Sequence, residues 1–271
     1  MTVHSVLATI PSQFDGRLLE LRVQQASLSP TEALVLVHPY APLGGNFDNN
    51  VICALEAHWL RQFPDSMTVA INLRGAGRSQ GRTSWSGRPE EHDVKTVVGW
   101  LTTGAKSPVA NASTTLPDFD RSQLKRLILC GYSYGGIAVS ALQPQDYPPA
   151  LELLYIFISF PIGVMWALTL WRQRDCTRRI AHLASLAPLT TTPTDTIKPA
   201  PRVRTLLVAG DQDQFTGAQR YTAWWQKLRG IVQASNAGDA VETELFPGVD
   251  HFWFYHEKKL CQHIQAWATC G

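Results

Sequence analysis

The fold of this chain is decided by one stretch, Leu127-Ile128-Leu129-Cys130-Gly131-Tyr132-Ser133-Tyr134-Gly135-Gly136. An apolar run leads there directly into the pattern Gly-x-Ser-x-Gly, which is typical of the sharp strand-to-helix turn called a nucleophile elbow. Gly131 and Gly135 leave the room that a close approach of strand and helix requires. The turn exposes the serine hydroxyl, so the pattern predicts Ser133 as a catalytic nucleophile. Taken alone, it also fits a glycine-rich turn with an incidental serine.

Two later segments supply the partners that such a serine needs. Val208-Ala209-Gly210-Asp211-Gln212-Asp213 follows an apolar run, and Phe246-Pro247-Gly248-Val249-Asp250-His251 comes near the end of the chain. Nucleophile, acid and base therefore occur in the order Ser, Asp, His, which is the α/β-hydrolase order and differs from those of two unrelated protease folds. On these residues the sequence resembles the α/β-hydrolase superfamily, and the resemblance extends from about residue 35 to residue 267.

The resemblance implies a choice between neighbouring candidates for the acid and the base. Relatives carry the acid in the pattern Gly-x-x-Asp, which selects Asp213 when it is counted from Gly210. Asp211 is then expected to brace the turn. His251 is expected to be the base because it follows the last strand and a Pro-Gly turn, whereas His256 is expected to begin the closing helix.

An oxyanion hole is expected from two backbone N–H groups. One belongs to Tyr134, because the residue after the nucleophile lies at a helix N-terminus with unpaired N–H groups. The resemblance implies that the other lies in the loop of residues 38–46, which begins His-Pro, as in some small α/β-hydrolases, where many relatives have His-Gly. Neither proline of this loop can donate, so the donor is expected at Tyr40 or Ala41. We favour Tyr40, the nearer to the strand end, with its phenol toward the substrate. His38 is expected to brace this loop and not to transfer protons.

The rest of the sequence alternates apolar strands with amphipathic segments, which predicts an α/β fold with a mostly parallel, doubly wound sheet. We expect one domain over residues 1–271, an early antiparallel pair of strands around Phe14-Asp15-Gly16-Arg17, and an exposed loop over residues 104–120. The expected strands cover residues 33–37, 67–73, 125–130, 153–159, 203–209 and 241–246, and the expected helices cover residues 50–63, 90–102, 218–229 and 258–268.

Residues 153–171 form an uncharged run that is long enough for a transmembrane helix. We favour a division of this run into a buried strand and a loop, because strands of parallel sheets read as continuous apolar runs and Pro161 with Gly163 interrupts the pattern. No stable membrane insertion is therefore expected. The division places a lid or cap insertion at residues 161–199.

The lid region is expected to select the substrate. It begins with apolar side chains that would form a substrate wall: Val164, Met165, Trp166, Leu168 and Trp171. Of these, Met165 and Trp166, together with Tyr40, are the candidate substrate-binding residues. The same apolar side chains also fit a simpler role in covering the edge of the sheet. Both roles remain open at this point.

Composition excludes several other classes of protein. The formal net charge is +2 without a block of Lys or Arg, so neither nucleic acid nor a polybasic membrane contact is expected. Five cysteines without CxxC spacing argue against a zinc site and a disulfide framework. The N-terminal residues lack a signal-peptide pattern, so a cytoplasmic location is expected. The loop after Arg74 lacks the Gly-Lys-Ser/Thr of a phosphate-binding loop, and Arg74 is expected to form an internal ion pair.

The sequence thus predicts a serine hydrolase without cofactor or metal that acts on a small-molecule acyl substrate, a small to medium apolar ester or thioester. Fold alone does not determine chemistry, so acyl transfer, C–C bond cleavage, and lyase or cyclase chemistry remain alternatives with the same triad. A hydrolase-like binding protein without catalysis is a further alternative. Neither the specific substrate nor the oligomeric state follows from the sequence.

Overall fold

The computed structural model describes residues 3–25, 27, 29–110, 119–186, 202–234 and 241–270. Its strands are β1 (His4–Pro11), β2 (Leu18–Gln25), β3 (Glu32–Val37), β4 (Ser66–Ile71), β5 (Val109–Ala110), β6 (Arg126–Tyr132), β7 (Glu152–Ile158), β8 (Val203–Gly210) and β9 (Val241–Phe246). Its helices are α1 (Asn50–Gln62), α2 (Arg88–Thr103), α3 (Tyr134–Val139), α4 (Met165–Leu168), α5 (Gln173–Ser185), α6 (Ala218–Ala234) and α7 (Glu257–Thr269).

The described strands form one sheet in the order β5-β1-β2-β4-β3-β6-β7-β8-β9. Strands β1 and β2 pair antiparallel with their neighbours, whereas β3, β4 and β6 to β9 run parallel. Strand β6 lies between β3 and β7, and its Gly131 is in register with Val37 and Phe157. Because parallel strands end at the same edge, the loops that follow β3, β6, β7, β8 and β9 meet there.

Helices cover both faces of the sheet and bury it completely in the middle. On one face, α1 and α7 pack through residues such as Trp59 and Trp267. On the other face, α2, α3, α5 and α6 contribute residues such as Val97, Ile180 and Trp225. Burial on both faces explains why β3, β4 and β6 to β8 are nearly continuous apolar runs in the sequence. The expected α/β class with a mostly parallel, doubly wound sheet is confirmed.

The uncharged run at residues 153–171 is divided as expected. Its first part is β7, which pairs with β6 and β8 in the middle of the sheet. Its second part contains the short helix α4 and the turns around it. Among the described residues, no helix combines the length and the apolar character that a membrane span requires.

The segment at residues 104–120 is not simply an exposed loop, because Val109–Ala110 pairs with β1 at the sheet edge and Phe119 packs into the core. A two-residue edge strand has too little sequence to show period-two alternation. Residues 111–118 lie outside the described residues. Of the expected lid at residues 161–199, the part at residues 187–199 also lies outside them.

Arg74 is buried in the loop that follows β4. Its guanidinium contacts Asp93 Oδ1 at 2.6 Å and Asp15 Oδ2 at 3.0 Å. These ion pairs join the loop to α2 and to the turn between β1 and β2. The structure therefore gives Arg74 the internal bracing contacts that were expected from the sequence.

Candidate active site

The turn between β6 and α3 has the geometry of a nucleophile elbow. Ser133 lies at φ 53° and ψ −117°, a backbone conformation that costs a residue other than glycine about 1–3 kcal/mol. A Cβ atom added at Gly131 would lie 2.5 Å from Gly136 Cα, and one at Gly135 would lie 2.2 Å from the Val37 carbonyl oxygen. The glycines are thus required by the close packing of β6, α3 and β3, as the pattern indicated.

Three side chains at the carboxyl edge of the sheet form one hydrogen-bonded line. Ser133 Oγ lies 3.0 Å from His251 Nε2, and His251 Nδ1 lies 2.7 Å from Asp213 Oδ2. The exposed fractions of the three residues are 6%, 4% and 4%. Ser133 follows β6, Asp213 follows β8 and His251 follows β9, so the fold brings together residues that are far apart in sequence.

Both carboxylate oxygens of Asp213 accept further hydrogen bonds. Its Oδ1 accepts from the N–H groups of Phe215 at 2.9 Å and Thr216 at 2.8 Å, and its Oδ2 accepts from the Tyr221 hydroxyl at 3.1 Å. Asp211 lies elsewhere, and its Oδ1 accepts from Gly248 N–H at 2.8 Å. The structure therefore places Asp213 at the imidazole and gives Asp211 a bracing contact to the turn before His251.

His251 is positioned through its backbone as well as its ring. Its N–H donates to Gln214 Oε1 at 3.1 Å, and its carbonyl accepts from the Tyr132 hydroxyl at 2.7 Å. Phe215 packs edge-on against the imidazole, with 4.6 Å between the ring centroids. His256 precedes α7 and is not part of this line.

Sequence reasoning missed four residues that support this line: Tyr132, Gln214, Phe215 and Tyr221. Tyr132 directly precedes Ser133, and Gln214 and Phe215 are the two residues after Asp213, so their closeness to Ser133 and Asp213 in the sequence was a usable signal. Tyr221 lies in α6, eight positions after Asp213, and no motif marks it.

The two residues expected to supply the oxyanion donors, Tyr40 and Tyr134, are in contact. Tyr134 is the first residue of α3, and packing of Gly135 against the Val37 and His38 carbonyls sets this helix N-terminus against the loop that contains Tyr40. The rings of Tyr40 and Tyr134 are 5.1 Å apart. Neither residue's N–H donates a hydrogen bond to any residue that the structure describes.

His38 braces the same loop from within the core. Its Nε2 accepts from Leu73 N–H at 3.0 Å, which assigns the ring proton to Nδ1, and Nδ1 donates to the Pro39 carbonyl. Complete burial lowers the pKa of His38 to about 4 because the charged imidazolium loses its hydration. A neutral ring with both nitrogens occupied is suited to bracing and not to proton transfer.

A cavity of about 260 Å³ opens at the serine. Apart from Ser133 and His251, its walls are mainly apolar and aromatic, and none of the described residues that line it is Asp, Glu, Lys or Arg. Its principal side chains come from the oxyanion loop, the segment after β7 and the two loops of the acid and the base: Tyr40, Leu43, Val164, Leu168, Phe215 and Phe252.

Of the three candidate substrate-binding residues, only Tyr40 lines this cavity. Met165 is buried in the core, and Trp166 packs on Trp171 and faces a separate groove. Met165 and Trp166 were expected beside the nucleophile, but they do not line the cavity at Ser133. On a helical turn, Val164 and Leu168 share one face, while the two residues after Val164 point in other directions.

The architecture is shared with solved structures of low sequence identity. A serine hydrolase homologue from Coxiella burnetii is 20% identical, with a TM-score of 0.63 over 97% of this chain and 96% of that chain. An α/β serine hydrolase without a lid from Xanthomonas campestris is 19% identical, with a TM-score of 0.63 over 98% and 94%. An esterase from Pyrococcus furiosus is 10% identical, with a TM-score of 0.64 over 97% and 88%.

These likenesses show that the chain has the α/β-hydrolase fold, which confirms the fold that the resemblance implied. No protein-family model and no curated protein matches the sequence.

Proposed function

We propose that this protein is a serine hydrolase that cleaves a small to medium apolar carboxylic ester or thioester. The observation that carries the proposal is the continuous line from Ser133 Oγ through His251 to Asp213, with distances of 3.0 and 2.7 Å, at the floor of an uncharged cavity. Proteins with the same fold include a serine hydrolase homologue and an esterase, which agrees with this chemistry.

The reaction follows from the positions of these atoms. Ser133 Oγ attacks the acyl carbon while His251 Nε2 accepts the hydroxyl proton, and the resulting oxyanion binds the N–H groups of Tyr134 and Tyr40. The imidazolium then protonates the leaving alcohol or thiol, whose bond to the acyl carbon breaks. A water molecule gives its proton to His251 and attacks the acyl-enzyme, and the acid leaves as Ser133 regains its proton.

Asp213 supports the base in both half-reactions. Its Oδ2 accepts the Nδ1 proton of His251, so that Nε2 faces Ser133 as the free base. The same carboxylate stabilises the imidazolium that forms in each proton transfer. Four donors hold the carboxylate, which keeps it in place while the charge on the ring changes.

The cavity supports the proposed substrate class. Binding cavities for drug-sized ligands occupy about 300–1,000 Å³, so one of about 260 Å³ suits a shorter acyl group. An anionic or cationic acyl group would find no complementary charge on the described side chains that line the cavity. Burial of an unpaired charge is costly, so an apolar acyl group is favoured.

The segment after β7 takes the place of the expected lid in this proposal. Residues 161–168, which we call the wall segment, contribute Pro161, Val164, Ala167 and Leu168 to the cavity. We propose that the wall segment selects the acyl group by contact.

A panel of chromogenic esters, from acetate through butyrate and octanoate to palmitate, tests the proposal in water enriched in ¹⁸O. We expect turnover of the shorter esters, with heavy oxygen in the released acid, and loss of turnover in Ser133→Ala. Turnover of an acyl donor without label uptake would indicate acyl transfer or another use of the triad. Absence of turnover by folded protein, even when it binds acyl ligands, would favour a binding protein.

A further inference from the structure

Tyr221 lies in the first turns of α6 with its hydroxyl against the acid of the triad. The residue is 1% exposed, and its ring stacks on Trp225 with 5.4 Å between the ring centroids. Its hydroxyl lies 3.1 Å from Asp213 Oδ2. This is the same oxygen that receives the Nδ1 proton of His251.

The shared oxygen gives the tyrosine a chemical consequence beyond packing. Asp213 Oδ2 accepts two hydrogen bonds, one from the Tyr221 hydroxyl and one from the His251 ring. Asp213 Oδ1 accepts two more from backbone N–H groups. A hydrogen bond to a carboxylate stabilises its charged form. The additional donor on Oδ2 therefore weakens the attraction that this oxygen can offer to a protonated imidazole.

Tyr221 remains a proton donor over the working range of the site. Burial, followed by the negative charge of Asp213, raises the pKa of Tyr221 well above its ordinary value. The phenol therefore stays neutral wherever the carboxylate is charged.

We propose that Tyr221 is a positioning residue for the proposed hydrolase reaction, which fixes the orientation of Asp213 and limits how strongly this carboxylate holds the protonated His251. Its hydroxyl thereby keeps the imidazole ready to release the proton to the leaving group. The effect on catalysis rests on the proposed function. The effect of Tyr221 on Asp213 and His251 does not, because it needs only the contacts among these three residues.

The test compares Tyr221→Phe with Tyr155→Phe. Both substitutions remove one hydroxyl from a fully buried tyrosine, and the Tyr155 hydroxyl donates to the Leu142 carbonyl at 2.9 Å, outside the triad. The pH dependence of kcat/KM with a chromogenic ester is measured for the wild type and both variants. Urea unfolding of each protein gives the accompanying change in stability.

In Tyr221→Phe we expect the acidic limb of the kcat/KM profile to move to higher pH by about half a unit to one unit, because Asp213 then binds the imidazolium more strongly. We expect kcat to fall by up to about tenfold, because an imidazolium that Asp213 binds more strongly releases its proton less readily to the leaving group. Tyr155→Phe should leave the profile in place at a similar cost in stability. An unmoved profile in Tyr221→Phe, or a shift to lower pH, would overturn the inference.

A second readout separates this inference from the proposed function. In a Ser133→Ala background without substrate, NMR follows the titration of the His251 ring protons, and Tyr221→Phe should move the titration midpoint upward by the same amount. If the wild type hydrolyses no ester, the proposed function fails, and this midpoint still decides whether Tyr221 tunes the acid and base. A midpoint equal to that of the parent variant would overturn the inference.

Discussion

The floor of the cavity and its wall segment are built in opposite ways. Ser133 and His251 form the floor, Asp213 lies behind His251, and each of the three is at most 6% exposed with hydrogen-bond partners that fix its polar atoms. In and just after the wall segment, large apolar side chains face solvent, with Trp166 48% and Trp171 71% exposed. We propose that the strand ends of the buried sheet set the chemistry, and that a short segment packed beside them selects the acyl group.

The two regions meet at one glycine. Gly163 N–H donates to Thr216 Oγ1 at 3.0 Å, and a Cβ atom at Gly163 would lie 2.0 Å from the Phe215 carbonyl oxygen. Thr216 also donates its own N–H to Asp213 Oδ1. The wall segment therefore packs directly against the loop that follows β8 and contains Asp213.

Beyond the wall segment, the chain is anchored to α2. Arg172 and Arg179 both contact Glu91, at 3.2 and 2.8 Å, and Arg172 also donates to the Ser86 carbonyl. The segment is thus held at both ends. We expect substitutions of the side chains with which it lines the cavity to alter acyl preference while the reactivity of Ser133 is retained.

The largest expected effect comes from the floor. Asp213→Asn should reduce kcat by about 10³- to 10⁴-fold, because an amide cannot support the imidazolium and favours the wrong imidazole tautomer. Steady-state kinetics with a short-chain ester measures the loss.

Asp211→Asn is the matched control for this substitution. The asparagine oxygen can still accept from Gly248 N–H, so kcat should change less than about threefold. Equal losses in the two folded variants, or a larger loss in Asp211→Asn, would show that the acid was assigned wrongly.

The second-largest effect is on the free energy of unfolding and concerns His38, which is fully buried at the start of the oxyanion loop. Burial lowers the pKa of His38 from 6.5 to about 4, so between these values the unfolded chain binds more protons than the folded protein. The stability that this residue contributes is therefore complete near neutral pH and is lost as the pH falls below 6.5. At pH 4.5 the loss should reach about 2–3 kcal/mol.

Urea unfolding at pH 7.0 and 4.5 measures this effect against His38→Gln, whose side chain cannot titrate there. The wild type should lose about 2–3 kcal/mol more of its free energy of unfolding between the two pH values than the variant loses. Identical pH dependence of the two proteins would mean that His38 is not buried as a neutral ring.

The smallest effect concerns the wall segment. Leu168→Ala enlarges the cavity by removing one of its lining side chains, and it should shift the kcat/KM ratio of octanoate to acetate esters about tenfold toward the longer chain. Trp166→Ala removes a larger side chain that faces away from the cavity, and should shift the ratio by less than about twofold. The reverse ranking would place Trp166 in the acyl site.

The floor could be predicted from sequence because its signals are local. Strands buried on both faces read as apolar runs, Gly131 and Gly135 mark the elbow, and the order of Ser133, Asp213 and His251 follows from the topology. The ends of the expected strands and helices consequently agree with the structure to within a few residues, except in α6, which extends further to Ala234.

The wall segment could not be predicted in the same way. Composition indicated an apolar wall after Pro161, but the directions of its side chains depend on how a short helix packs against distant loops. Val164 and Leu168 of that wall line the cavity, whereas Met165 and Trp166, which were chosen as substrate-binding candidates, do not. The contact of Tyr221 with Asp213 likewise depends on the packing of α6, for which no sequence motif exists.

Covalent labelling with a fluorophosphonate probe tests the central claim, that Ser133 is an activated nucleophile, without any assumption about the substrate. Intact mass and peptide mapping should show one adduct on Ser133 in the wild type, much slower labelling in His251→Ala, and none in Ser133→Ala. Folded wild-type protein that stays unlabelled, or an adduct that persists in Ser133→Ala, would contradict the assignment of Ser133 as the nucleophile.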